Sequence, residues 1–166
     1  YLLAIDKISK DTPLSANDVL DIHRELTRSV DFFEEQGMSG HWRRVNVMLR
    51  SRGQIVNFAP VYLLHWLMHD VWAHFYHDCL KAAKTATDDE KEKMAYQIHD
   101  LFECIHPFID GNGRTGRILL NAARQQFGLS PIVILYNNRE AYYDKIQAFR
   151  LNEYDTIVSK YNKYEA

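Results

Sequence analysis

The stretch "HPFIDGNGRTGR", His106 to Arg117, gathers a histidine, an acid, two glycines around an asparagine, and two arginines within twelve residues. Each type has a use at a phosphate. A helix start leaves its first backbone N–H groups unsatisfied and carries partial positive charge. Gly111 and Gly113 allow tight backbone conformations and close approach to a ligand, so a glycine-rich loop feeding a helix makes an anion cradle. Arg114 and Arg117 stand three residues apart, on one helix face, and can reach the same polyphosphate. Asp110 can hold a hard cation such as Mg²⁺, which takes few carboxylates together with phosphate oxygens. His106 brings an imidazole, a group that ordinarily titrates near neutrality and suits general-base work.

Other loops with these residues do not fit. Counting Asp110 as the first position of an EF-hand puts Thr115 where a glycine is required and Asn121 where the closing glutamate belongs. A Walker loop is excluded because no Gly-Lys-Ser/Thr follows.

The elements that must hold this loop are mostly helical. Ser15 caps a helix, with Asp18 three residues on and Val19, Ile22, Leu26, Val30 and Phe33 at helical spacing. The glycines of "EEQGMSGHW" end it. Val45–Leu49 and Gln54–Phe58 are β-compatible runs around "SRG" and read as a hairpin. Pro60 opens a long helix to about Lys84, and Thr87 with its following acids starts another that ends near Ile105. A further helix runs from about Arg114 to Phe127 and stops at Gly128. "LSPIVILY" reads as an extended connector, and helical spacing returns from Asn138, as two helices. The opening residues read as a short helix ended by "DTP". The expected fold class is therefore all-α, a helical bundle with one small β-hairpin, in a single domain over 1–166. The missing initiator methionine points to a piece of a longer protein.

Composition sets limits. The chain has 166 residues, 46% hydrophobic and 25% charged, which excludes wholesale disorder. A formal charge of −2 argues against a general nucleic-acid binder. No apolar run reaches membrane-spanning length, and no signal peptide is visible. Cys79 and Cys104 lie in apolar helical patterns and read as buried thiols in a reducing compartment.

His106-Pro107-Phe108-Ile109-Asp110-Gly111-Asn112-Gly113-Arg114-Thr115-Gly116-Arg117 resembles the signature of Fic-domain proteins, His-x-Phe-x-Asp/Glu-Gly-Asn-Gly-Arg-x-x-Arg, at every fixed position. The likeness extends from "PLSANDVLDIHREL" through the hairpin and "FAP" to the helices after the motif. It implies a mainly helical fold and transfer of AMP from ATP, with Mg²⁺, to a Tyr, Thr or Ser hydroxyl of a target protein. Carried over, His106 takes the proton from the attacking hydroxyl, Phe108 anchors the loop, and Asp110 binds Mg²⁺. Gly111, Asn112 and Gly113 form the anion hole, with Asn112 near the α-phosphate, while Arg114 and Arg117 hold the β- and γ-phosphates. The hairpin becomes a flap over roughly Ser51 to Phe58. Gly53, Gln54, Ile55 and Val56 would dock a strand of the target. Tyr142 and Tyr143, in "YNNREAYY", are the candidates for the adenine pocket. The resemblance also places the protein in the cytoplasm of a bacterium, with export into a host cell left open.

Three features pull elsewhere. His65, His69, His74 and His77 share one predicted helix, but His74 falls opposite His65, so the four do not converge on a metal. Arg124 shares a face with Arg117 about 10 Å further along the axis and reads as surface charge. Many Fic proteins are held inactive by a Ser/Thr-x-x-x-Glu-Gly/Asn helix whose glutamate pairs with the second motif arginine, here Arg117. That pattern is not in this sequence, which leaves three readings: an upstream helix supplies it, an antitoxin-like partner supplies it, or this protein is not regulated that way. Two alternatives stand beside AMP transfer: the same fold using another donor for UMP, phosphocholine or phosphate transfer, and a protein-interaction module without turnover. The phosphate-transferring branch alters the Gly-Asn-Gly-Arg segment, which this chain keeps.

Overall fold

The structure is a computed structural model that describes residue 9 and residues 11–51, 54–134 and 139–162. The short opening helix expected from the sequence lies outside these residues.

Helix α1 (Ala16–Thr27) starts at Ser15, whose side chain accepts from the Asp18 N–H while the Asp18 carboxylate takes the Ser15 N–H in return. The continuous helix expected through Phe33 is interrupted. Thr27 turns its hydroxyl back onto the His23 carbonyl at 2.8 Å, and β-branched Val30 adopts an extended conformation. The chain then restarts as α2 (Asp31–Glu35), with an acid at its first position. Phe33 still reaches the core.

Strands β1 (Met48–Ser51) and β2 (Gln54–Asn57) pair antiparallel, Met48 opposite Asn57 and Ser51 opposite Gln54. β1 begins three residues later than the sequence pattern suggests, because the Val45 carbonyl is taken by the Arg43 side chain. Phe58 leaves the sheet and turns towards the site.

Helix α3, over 61–82, runs from the Pro60 entry but is not uniform. A 3₁₀ turn (Val61–Leu63) and a single α turn precede a π-helical stretch (Leu67–Trp72), and ordinary α geometry resumes over Ala73–Ala82. Within the π stretch Leu67, Met68, Val71 and Trp72 are all buried. The wider winding keeps these large side chains inward on a helix that must also pass under α4. α4 (Asp88–Ile105) starts on a Thr87–Glu90 capping box and packs along α5 (Asn112–Gln126). α5 ends at Gly128, which takes a left-handed conformation at φ 82°. Residues 129–134 carry no regular secondary structure, and the rest of the expected connector lies outside the described residues. In place of two separate helices the tail is one run, α6, over 139–160, with a π-helical turn (Arg150–Tyr154) between its α segments.

The core is aromatic at its centre, with Trp72, Tyr76, Phe102 and Phe108 fully buried among aliphatic side chains of α3, α4 and α5. Cys79 and Cys104 are free and buried, and burial pushes both thiols up to about 12, which makes them inert packing groups. Among the described residues no helix is long and apolar enough to cross a membrane.

Candidate active site

The motif occupies the junction between α4 and α5. Gly111 is the N-cap of α5 in a left-handed conformation (φ 83°), and no side chain caps the helix. The first N–H groups of α5 are thus left for a ligand. Glycine is needed here twice over. The positive φ disfavours a side chain, and a Cβ would come within 3.1 Å of the His23 imidazole.

Asn112 serves the loop rather than facing outward. Its side chain accepts from the Phe108 N–H and donates to the Phe108 carbonyl, both at 2.9 Å, and is buried. Its share in an anion hole therefore falls to its backbone. Phe108 is the expected anchor. It stacks on His23 at 3.7 Å, nearly parallel, and lies 5.0 Å from the Trp42 ring.

The Gly40 N–H donates to His23 Nδ1 at 3.0 Å, so Nε2 carries the proton and donates to the Asp110 carbonyl at 3.0 Å. Burial holds the His23 pKa below its usual range, the Asp110 carbonyl partly offsetting it. A neutral imidazole on α1 thereby fixes the backbone at Asp110. The Asp110 side chain is 66% exposed, with one oxygen accepting from the Gly111 N–H at 2.6 Å. Among the described residues no group of three or more His, Cys, Asp or Glu side chains is arranged to hold a metal ion. A single open carboxylate beside a helix start is nonetheless the donor set that suits Mg²⁺, whose other positions go to water and phosphate.

Both motif arginines flank the first turn of α5. Arg114 lies 3.7 Å from the Asp110 carboxylate and over the Phe33 ring. Arg117 extends Nη1 to within 3.4 Å of where a Cβ on Gly113 would sit. Arg114 therefore adds its charge to the helix N-terminus beside Asp110, and Arg117 reaches back along α5 to Gly113.

His106 is the C-cap of α4 and the one non-glycine residue among those described with positive φ, at 53°. Such a conformation costs on the order of 1–2 kcal/mol. The ring stacks on Phe58 at 3.8 Å. Nδ1 is buried without a well-formed hydrogen bond. Burial pushes the pKa down to about 4, the Glu103 carbonyl pulling back and the Arg43 and Arg150 charges adding to the drop. The imidazole is therefore neutral at physiological pH, the form a general base requires.

Behind the motif lies a buried polar cluster. His99 Nδ1 pairs with Asp100 at 2.7 Å and Nε2 with the Tyr142 hydroxyl at 2.9 Å. Burial drives the Glu103 carboxyl above its usual range, with His99, the Tyr142 hydroxyl and Arg117 opposing. A Cβ on Gly116 would strike Glu103 Oε1, so this motif glycine makes room for the carboxyl. Tyr142 thus points its hydroxyl into the cluster, and Tyr143 packs edge-on against it at 5.8 Å.

On the flap, Ile55 is 54% exposed and Val56 half-buried, Gln54 pairs with Ser51, and Gly53 lies outside the described residues. The four α3 histidines are scattered in role: His65 and His69 stack at 4.2 Å, while His74 bonds the Asp70 carbonyl. Arg124 departs from expectation. It is 7% exposed rather than surface charge, because α5 turns it towards α4, where it pairs with Glu92 and donates to the Ser130 carbonyl.

Sequence reasoning misses His23, Glu103, Phe58, Arg43 and Arg150. His23 follows Ile22 on the apolar face of α1, a placement that could have flagged it. Arg43 stands beside Arg44 and Arg150 stands alone, and neither has a local sequence signal.

A sequence profile of the Fic/DOC family matches residues 13–123. The chain is 30% identical over 145 residues to protein adenylyltransferase fic-1 of Caenorhabditis elegans, covering 87% of this chain and 26% of that one. It is 32% identical over 141 residues to protein adenylyltransferase Fic of Aedes aegypti, covering 84% and 25%. It therefore spans about a quarter of the length of these curated relatives. Among solved structures, a Fic domain containing signaling protein from Bacteroides thetaiotaomicron superposes with a TM-score of 0.71 at 25% identity, covering 88% of this chain and 52% of that one. Fic-1 of C. elegans superposes with a TM-score of 0.71 at 24% identity, over 96% and 45%. With the motif intact at the helix junction and a profile match over residues 13–123, the chain belongs to the Fic/DOC family.

Proposed function

We propose that this chain is a protein adenylyltransferase, moving AMP from ATP to a Tyr, Thr or Ser hydroxyl of a target protein. The observation that carries the reading is the uncapped N-terminus of α5, flanked by Arg114 and Arg117 and edged by a neutral His106. The names of the curated relatives support it.

The geometry suggests a division of labour. The α5 N–H groups and the two arginines hold the triphosphate and stabilise the pyrophosphate as it leaves. His106 takes the proton of the acceptor hydroxyl as its oxygen attacks the α-phosphorus and the bond to the bridging oxygen breaks. Its buried Nδ1 leaves Nε2 as the accepting nitrogen. Mg²⁺ would be held by the Asp110 carboxylate and would neutralise phosphate charge. His23 keeps that carboxylate in register through the Asp110 carbonyl. The flap, through Ile55 and Val56, would align the target segment by strand addition. Tyr142 and Tyr143 remain the candidates for a wall of the adenine pocket, Tyr142 through its ring face alone. Arg117 is also where an inhibitory glutamate from a helix or partner outside this sequence would land.

The test is intact mass after incubation with Mg²⁺ and, in turn, ATP, UTP, GTP and CDP-choline. One AMP added to the chain or to lysate proteins from ATP alone, lost in His106→Ala by about 10²-fold or more without a change in thermal transition, supports the reading. An adduct from another donor moves the protein to a different transferase. Nucleotide binding without an adduct from any donor makes it an interaction module.

A further inference from the structure

The last carbonyls of a helix need partners, and at the end of α4 they find two arginines from distant segments. Arg150, at the start of the π-helical turn in α6, donates to the Cys104 carbonyl at 3.1 Å and to the Asn57 carbonyl at 2.7 Å. Arg43 donates to the carbonyls of His106 at 2.8 Å and Ile105 at 3.4 Å, and also to those of Val45 and Ala59, on either side of the flap. Each guanidinium therefore ties the C-terminal turn of α4 to the base of the hairpin. Cations at this end also complement the helix dipole.

Arg150 does more than bridge. Its guanidinium lies over one face of the Phe58 ring, 5.1 Å from the centroid, and the same ring stacks on His106 at 3.8 Å and 12°. Phe58 is thus in contact with both the guanidinium and the imidazole. Phe58 directly follows the last β2 residue, whose carbonyl Arg150 also holds. A π-helical turn inserts one extra residue into a helix and re-aims the side chains around it, which is a common device at functional sites.

We infer that Arg150 is a positioning residue for the base: it clamps Phe58 flat on the His106 imidazole and fixes the flap to the catalytic end of α4. It touches neither phosphate-binding arginine nor the α5 N-terminus in the contacts above. Its loss should therefore leave nucleotide binding alone and misplace the imidazole, and misplacement of a reacting group by about 1 Å can cost up to about a hundredfold in rate. The inference rests on His106 being the general base, and its structural core can be read without turnover.

Two measurements test it on the intact chain and on Arg150→Met, Arg150→Lys and Phe58→Leu. The first is the His106 ring-proton shift in NMR. The stacked phenyl should shift these protons upfield in the parent protein, Phe58→Leu should remove that shift, and Arg150→Met should move them most of the way to the Phe58→Leu position. The second is steady-state AMP transfer. Arg150→Met should lower kcat between about tenfold and a hundredfold with KM for ATP within about twofold, and Arg150→Lys, which keeps the cation and one carbonyl bond, should recover part of the loss. Should Arg150→Met fail to fold, Arg150→Lys carries the same reading at reduced size. Parent-like His106 signals in both Arg150 variants overturn the inference, as does a kcat loss matched by an equal rise in KM for ATP. A parent protein that transfers no AMP overturns the proposed function, while the NMR arm still decides whether Arg150 sets the imidazole.

Discussion

The two sides of the site are built in opposite ways. The phosphate side is local: Gly111, Asn112, Gly113, Arg114 and Arg117 are neighbours in sequence, and a single helix start presents them. The base side is assembled from afar. His106 owes its ring position to Phe58 after the flap, and the end of its helix to Arg43 and Arg150. A local site can tolerate loose surroundings, because its geometry follows from one backbone turn. A composite site depends on the whole fold, and here it is cemented by guanidiniums whose partners are backbone carbonyls. Arg43 is buried, and desolvation lowers its pKa. Such a group is costly to bury unless it is hydrogen-bonded throughout, and the four carbonyls around it meet that need.

The largest effect expected on the phosphate side comes from Arg117→Ala. If the phosphate side is local, kcat/KM for ATP should fall by about 10²–10³-fold while the thermal transition stays put. A matching collapse of the transition would show that Arg117 is held in the Glu103 cluster as structure, and the contrast between the two sides would fail.

The base side should announce itself through pH. The unfolded chain takes up a proton on the imidazole near 6.5, whereas the folded chain resists until about 4. Between those values the unfolded state binds more protons, so stability falls as pH drops through that window and does not change on this account above it. The gap is worth roughly 3 kcal/mol at the acid end. His23, also lowered by burial, acts in the same direction, so His106→Ala should remove only part of the acid sensitivity seen in thermal unfolding. The acid limb of kcat/KM should lie near 4, not near 6.5. An acid limb at 6.5 would mean that the imidazole is solvated in solution and the composite side is looser than the stacking implies.

What the sequence made legible follows the same division. The motif could be read because a helix start, its glycines and its charges act within one or two turns, and the family signature falls inside that span. Helix starts with reciprocal caps at Ser15 and Thr87 were legible for the same reason. The break after Thr27 was hidden, since Leu26, Val30 and Phe33 keep helical spacing although the helix stops at Thr27 and restarts at Asp31. Arg124 was misread because periodicity fixes an angle on its own helix and says nothing of where α4 packs. Asn112 was legible as part of the loop but not as its brace, a role that depends on Phe108 folding back over it. Arg43 and Arg150 were invisible for a deeper reason. An arginine that serves carbonyls leaves no complementary side chain in the sequence to pair it with.

Helix α4 allows the mildest test, because its two ends repeat the contrast. At the start, Thr87 and Glu90 satisfy the first N–H groups within four residues: the Thr87 hydroxyl accepts from the Glu90 N–H, and the Glu90 carboxylate takes the Thr87 N–H at 2.7 Å. At the other end, the carbonyls of Cys104 and Ile105 depend on Arg150 and Arg43. Thr87→Ala removes a local cap, and such a loss costs about 1 kcal/mol. Because the helix between is long and packed on α5, fraying of its first turn should stop well short of His106, more than four turns away at 3.6 residues per turn. The expected outcome is a small fall in melting temperature with the rate of AMP transfer and the His106 ring-proton shift unchanged. A loss of activity in Thr87→Ala would mean that α4 responds as a rigid rod along its whole length. The base would then be set by the helix rather than by the arginines that close its end.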